Sequence, residues 1–168
     1  MKRNFDNRGM LPTTKQILLA GLCGGLAEII WIASYSYLGP GNGEEIAREI
    51  TASLLPGMAN LSPAPLLGIA IHLVLSLALS LTFVGIVWVP TIKRFGQPGI
   101  LIVALAVLSF VWAINFLVVL PILNPVFVTL LPDSVTLFSK MLFGVAMALS
   151  LLKMDQQEHR TIAVSGNL

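Results

Sequence analysis

The chain has 168 residues, 56% of them hydrophobic and only 11% charged, with a mean hydropathy of +0.88, whereas a soluble domain carries about 25% charged residues. That composition excludes an ordinary soluble domain, and a formal net charge of +2 is too small to suggest nucleic-acid binding. Cys23 is the lone cysteine, which excludes an intrachain disulfide and CxxC redox chemistry and leaves it as a small packing residue.

A basic start (Lys2, Arg3, Arg8, Lys15) leads into the first apolar run, residues 16–38. This run exceeds the about 7–15 residues of a signal-peptide core, and Glu28 interrupts it, so it is expected to be a retained span. No lipidation motif is present, and attachment to the bilayer is expected through spanning helices. The first connection, 39–65, is the long one. Gly39, Pro40, Gly41, Asn42 and Gly43 form a turn signal, and Glu44 and Glu45 suit the first turn of a helix. Pro56-Gly57 ends that helix, which is predicted over 44–55 with Ile46, Ala47, Ile50 and Leu54 on one face and Glu44, Glu45 and Arg48 opposite. Such a segment lies along the outer membrane surface or caps the bundle. Asn60-Leu61-Ser62 matches a glycosylation sequon, but Pro63 follows it and the match carries little weight.

Three further runs, 66–89, 99–120 and 135–152, approach the about 20 residues that a span requires. Pro90 is expected to close the second and Pro98 to open the third; Pro121, Pro125 and Pro132 mark the turn before the fourth. The tail, 153–168, is polar and from Asp155 onward expected to be loosely ordered, with His159 a solvated residue. The fold class that follows is an all-α integral membrane protein. It is a single domain, a four-helix transmembrane bundle with a short amphipathic helix in the first outer loop and sequential helices as antiparallel neighbours. Lys and Arg collect before the first span, at Lys93-Arg94 and in the tail (Lys153, Arg160). The opposite side offers Arg48 against Glu44, Glu45, Glu49 and Asp133, so both termini are expected to be cytoplasmic, in a bacterial inner membrane. Tyr35, Tyr37 and Trp88 are expected at the interfaces.

Each span has one strongly polar side chain. From the outer ends, His72 lies about 9 Å deep, Asn115 and Lys140 about 8 Å, and Glu28 about 15 Å. Because such groups avoid lipid, Glu28, His72, Asn115 and Lys140 are expected to converge on one intramembrane polar site. Bland alternatives exist for three of the four, an interhelical hydrogen bond for Asn115 or His72 and snorkelling to the headgroups for Lys140; Glu28 is the exception, a functional-site candidate by default. Helical phase adds packing seams. Gly21 and Gly25 form a GxxxG beside Glu28; Gly68, Ser76 and Ser80 share a face with His72; Gly144 and Ala148 continue the line of Lys140.

No catalytic motif is present. A bis-histidine haem lacks its second membrane histidine, zinc lacks a ligand cluster, and the Gly39–Gly43 turn lacks the ending of a phosphate loop. No cofactor or metal is expected. Three functions remain. The leading one is a non-enzymatic accessory subunit or homo-oligomer, acting through helix association with a protein partner in the lipid bilayer. The second is a small oligomeric transporter or channel that uses Glu28 with His72 or Lys140 for a proton, cation or polar solute. The last is an intramembrane enzyme with Glu28 and His72 as an acid-base pair.

Overall fold

Thr13 starts the first helix with a reciprocal cap. Its hydroxyl accepts from Gln16 N at 3.4 Å while Gln16 Oε1 accepts from Thr13 N at 2.7 Å. The computed structural model describes residues 11–39 and 41–165, with side chains as far as 157. Lys2, Arg3, Arg8 and Pro40, and the side chains of His159 and Arg160, lie outside the described residues. Helix α1 covers Thr14–Leu38. Asn42 caps α2, Gly43–Leu54, by accepting from Glu44 N and Glu45 N. The inward face of α2 is rotated from the expected one. Ile46, Ala47 and Thr51 are buried and Leu54 is half exposed, because the Thr51 hydroxyl donates to the Ala64 carbonyl at 2.6 Å and turns that side inward.

Helix α3, Ala64–Phe83, passes through a π-helical turn, Val84–Trp88, straight into α4, Val89–Ile114. The expectation that Pro90 closes the second span is therefore corrected. Proline lacks an N–H and its ring crowds the carbonyl four residues back; one wide turn just before it relieves both. Pro121 repeats the device, with the π-helical Asn115–Val119 immediately ahead of α5, Leu120–Leu123. The chain reverses instead at Gly96, whose φ of 68° and ψ of −171° only glycine adopts readily. Because the helix runs past Pro90, Trp88 falls inside the bundle. It is 1% exposed, packed with Phe83, Ile100 and Met147, and is not at an interface as expected.

Helix α6 covers Asp133–Ser165. The loosely ordered tail is thus corrected to helix: residues 153–165 contain no glycine or proline, and Lys153, Met154, Gln156 and Gln157 are good helix formers. Among the described residues three helical runs are long and apolar enough to cross a membrane, Thr14–Leu38, Ala64–Leu123 and Asp133–Gln157. The middle run, at 60 residues, would reach about 90 Å if straight, and Gly96 divides it into two.

Helix α1 packs against α3 and α6, α6 also against α4, and α2 against α3. Small residues choose these neighbours. A Cβ on Gly21 would lie 3.0 Å from the Ser76 carbonyl, and one on Gly25 2.6 Å from Ser76 Oγ, so α1 and α3 meet nearly backbone to backbone. Gly24 seats the Phe143 ring of α6, Gly144 seats α4 at Ala104 and Leu108, and Gly68 lies against the Ala47 carbonyl of α2. Helices α3 and α4 have no such seam. They converge near Gly96 in the core of Phe83, Trp88, Ile100 and Ala104, and further along make little direct contact. Of the sequential spans, α1 and α3 pack together as expected, as do α4 and α6; α3 and α4 depart from that expectation beyond their meeting near Gly96.

The two ends of the bundle are tied separately. Gln97 Nε2 donates to Asp155 Oδ2 at 3.0 Å at the Gly96 end. At the other, Trp31 Nε1 donates to the Val135 carbonyl at 3.1 Å, and Asn124 Nδ2 donates to Glu49 Oε2 at 2.8 Å, holding α2 against the turn before α6.

Candidate functional site

Glu28 sits ten residues before the end of α1, on the face that Gly21, Gly24 and Gly25 press against α3 and α6. It is 4% exposed. Burial of a carboxylate in a helix pair demands partners, and three converge from two other helices. Lys140 Nζ of α6 lies 2.8 Å from Glu28 Oε2, Ser139 Oγ donates to Oε1 at 3.2 Å, and His72 Nε2 of α3 lies 3.6 Å from Oε2. Lys140 also lies over the Phe143 ring, 5.6 Å from its centre. It pairs and does not snorkel.

The histidine is the unfinished member. Its Nε2 is buried without a hydrogen-bond partner, since the oxygen it faces is already held by Lys140. One helical turn on, Ser76 donates to the His72 carbonyl at 2.8 Å, and Ser80 donates to the Ile17 carbonyl at 2.9 Å; both hydroxyls are spent on packing α3 to itself and to α1. Gly21 and Gly25 meet that serine stripe, Gly144 meets α4, and Ala148 lies fully buried in the core.

Glu28, His72, Ser139 and Lys140 form one wall of a cavity of about 680 Å³ between α3 and the Asn115–Leu123 stretch that continues α4. Its other walls are mostly apolar, with Ile69, Leu75, Leu79, Phe116 and Val119 prominent, and α2 closes over one end through Ile46 and Ile50. Asn115 lines the α4 side at the start of the π-helical turn. It makes no side-chain hydrogen bond to the described residues, so the interhelical bond considered for it is not formed. The structure thus brings Glu28, His72 and Lys140 together, and leaves Asn115 on the same cavity but outside their contacts.

Sequence reasoning missed Ser139. The signal was present: Thr136, Ser139, Lys140 and Phe143 recur at three- and four-residue spacing and share the inward face of α6. Thr136, which accepts from Trp112 Nε1 at 3.0 Å, anchors that face to α4. Among the described residues no group of three or more His, Cys, Asp or Glu is placed to hold a metal ion. Chemically the cluster can hold a neutral ion pair, offer or receive a hydrogen bond at His72, and present both to whatever fills the cavity. Comparison of the chain with models of protein families, with curated proteins and with solved structures finds no match.

Proposed function

We propose that the chain is a four-span membrane protein, with both termini cytoplasmic, that binds a small molecule in the cavity at Glu28, Lys140 and His72. One observation carries this: three ionisable side chains from three helices meet within 3.6 Å at the wall of a cavity. A buried ion pair is often less stable than apolar packing of the same volume, so a purely structural role has a cheaper solution in leucine. The segregation of the ends supports the topology. Among the described residues Lys15, Lys93, Arg94 and Lys153 belong to the Gly96 end, with Asp155, and Glu44, Glu45, Glu49 and Asp133 to the end capped by α2, with Arg48.

Association with a partner, the leading expectation from the sequence, loses part of its support. The glycine faces that were to meet another chain are filled internally, Gly21 and Gly25 by α3 and Gly144 by α4. On the present proposal the chain is a binding protein and not an enzyme. The test removes both members of the pair, Glu28→Leu with Lys140→Met, so that no charge is stranded. Wild type and double variant are purified, extracted with organic solvent and compared by mass spectrometry. Wild type should retain a small molecule that the folded double variant lacks; identical extracts from two folded proteins would remove the proposal.

A further inference from the structure

Between α3 and the stretch that continues α4 the exposed lining of the cavity is apolar, and the exposed Glu44 lies at its α2 end. Ile69 and Leu75 on α3 and Leu123 on α5 line the cavity and are 37%, 51% and 58% exposed. All three belong to a helical run of membrane-spanning hydropathy. An opening with such lips faces hydrocarbon more readily than water, since exposed leucine and isoleucine are stable in lipid and costly in water.

The polar equipment inside is of one kind. Glu28 and Lys140 already neutralise each other at 2.8 Å. What remains uncommitted is uncharged hydrogen-bonding capacity, His72 Nε2 on α3 and the Asn115 amide in the π-helical turn after α4. A ligand with a net charge would bring an uncompensated ion into a mostly apolar space, whereas a compact uncharged head satisfies both groups at no such cost. The Leu79, Phe116 and Val119 walls suit an apolar body. The volume, about 680 Å³, is that of an ordinary small-molecule site.

We infer that the cavity takes an amphiphile from the bilayer, with a small uncharged hydrogen-bonding head between His72 and Asn115 and an apolar tail along the α3–α4 gap. This rests on the cluster being a ligand site at all. A quinone ring and a glycerol or alcohol head share that chemistry, and the test separates them. Photoreactive probes with a common decyl tail are used in nanodiscs: a decylbenzoquinone, a monodecanoylglycerol and a decyltrimethylammonium ion. At least one uncharged probe should label Leu79, Phe116 or Val119 saturably, with the cationic probe weaker by about tenfold. His72→Leu with Asn115→Leu, which leaves the Glu28–Lys140 pair intact, should weaken labelling by about tenfold, the equivalent of one hydrogen bond. Labelling by the quinone alone or by the glycerol ester alone names the head. Equal labelling by all three heads, or labelling indifferent to the double substitution, would overturn the inference. So would a second copy or another protein filling the gap and excluding the probes. If no probe labels while wild type still co-purifies a molecule that Glu28→Leu/Lys140→Met lacks, only the amphiphile falls; if that difference is absent too, the cluster is not a ligand site.

Discussion

Lys140 Nζ lies 2.8 Å from Glu28 Oε2, joining the middle of α1 to α6 through an ion pair that is largely withdrawn from the surface. Opposite charges so placed are held by each other, and removing one strands its partner in a low-dielectric interior. Glu28→Gln should therefore destabilise the protein by about 3–5 kcal/mol, the range for breaking a buried pair. Lys140→Met introduced alongside it should recover most of the loss. Unfolding in mixed micelles, run as a double-mutant cycle, measures this; additive losses would mean the pair is not coupled.

Gly68 lets α2 lie directly on α3, with the Ala47 carbonyl where a side chain would be. The obstacle is backbone, which cannot rotate aside. Gly68→Ala should lift α2 from the bundle while leaving the α1–α3 seam intact. A spin label at Ile46, shielded from a water-soluble quencher in the parent, should become as accessible as one at Glu45. Unchanged shielding at Ile46 would show that α2 is held by something other than this close approach.

Gly96 makes the reversal between α3 and α4 with a φ of 68° and a ψ of −171°. A Cβ there is strained whatever space surrounds it, at about 1–3 kcal/mol. Gly96→Ala should lower thermal stability by that amount, while Gly85→Ala, where a Cβ meets open space, should have little effect. Equal effects at the two positions would contradict the conformational argument.

Orientation is tested with single cysteines in a Cys23→Ser background, needed because Cys23 is exposed. In sealed vesicles of known sidedness, Gly57→Cys should react with a membrane-impermeant maleimide from the outside. Lys153→Cys should react only after the membrane is opened. The reverse pattern would invert the topology, which follows from the charge bias between the two ends.

Glu28, His72 and Lys140 could be grouped from sequence because an ionisable group in a span has few places to go, and all three fall between the outer end of a span and its middle. Ser139 was missed although its spacing to Thr136 and Phe143 marks the same face, because a serine in a helix usually bonds its own backbone, as Ser76 does here. Pro90 was misleading for a related reason: a proline ends a helix unless the turn before it widens, and nothing in Val84–Trp88 announces a π-helical turn. The cavity itself was illegible. Which helices pack is settled by where glycine meets bulk, as at Gly24 and Phe143, and that matching appears only once the helices are placed. The amphipathic α2 was readable to within a residue at either end, but Thr51 was not, because its partner is a carbonyl at the start of another helix.

The most direct measurement is an experimental structure of the protein purified in its own lipids without detergent. The account predicts separated α3 and α4, Glu28 paired with Lys140, and density for a small molecule between them in contact with the His72 wall. Helices α3 and α4 closed on each other over an empty seam, or a helix of a second chain occupying the gap, would contradict it.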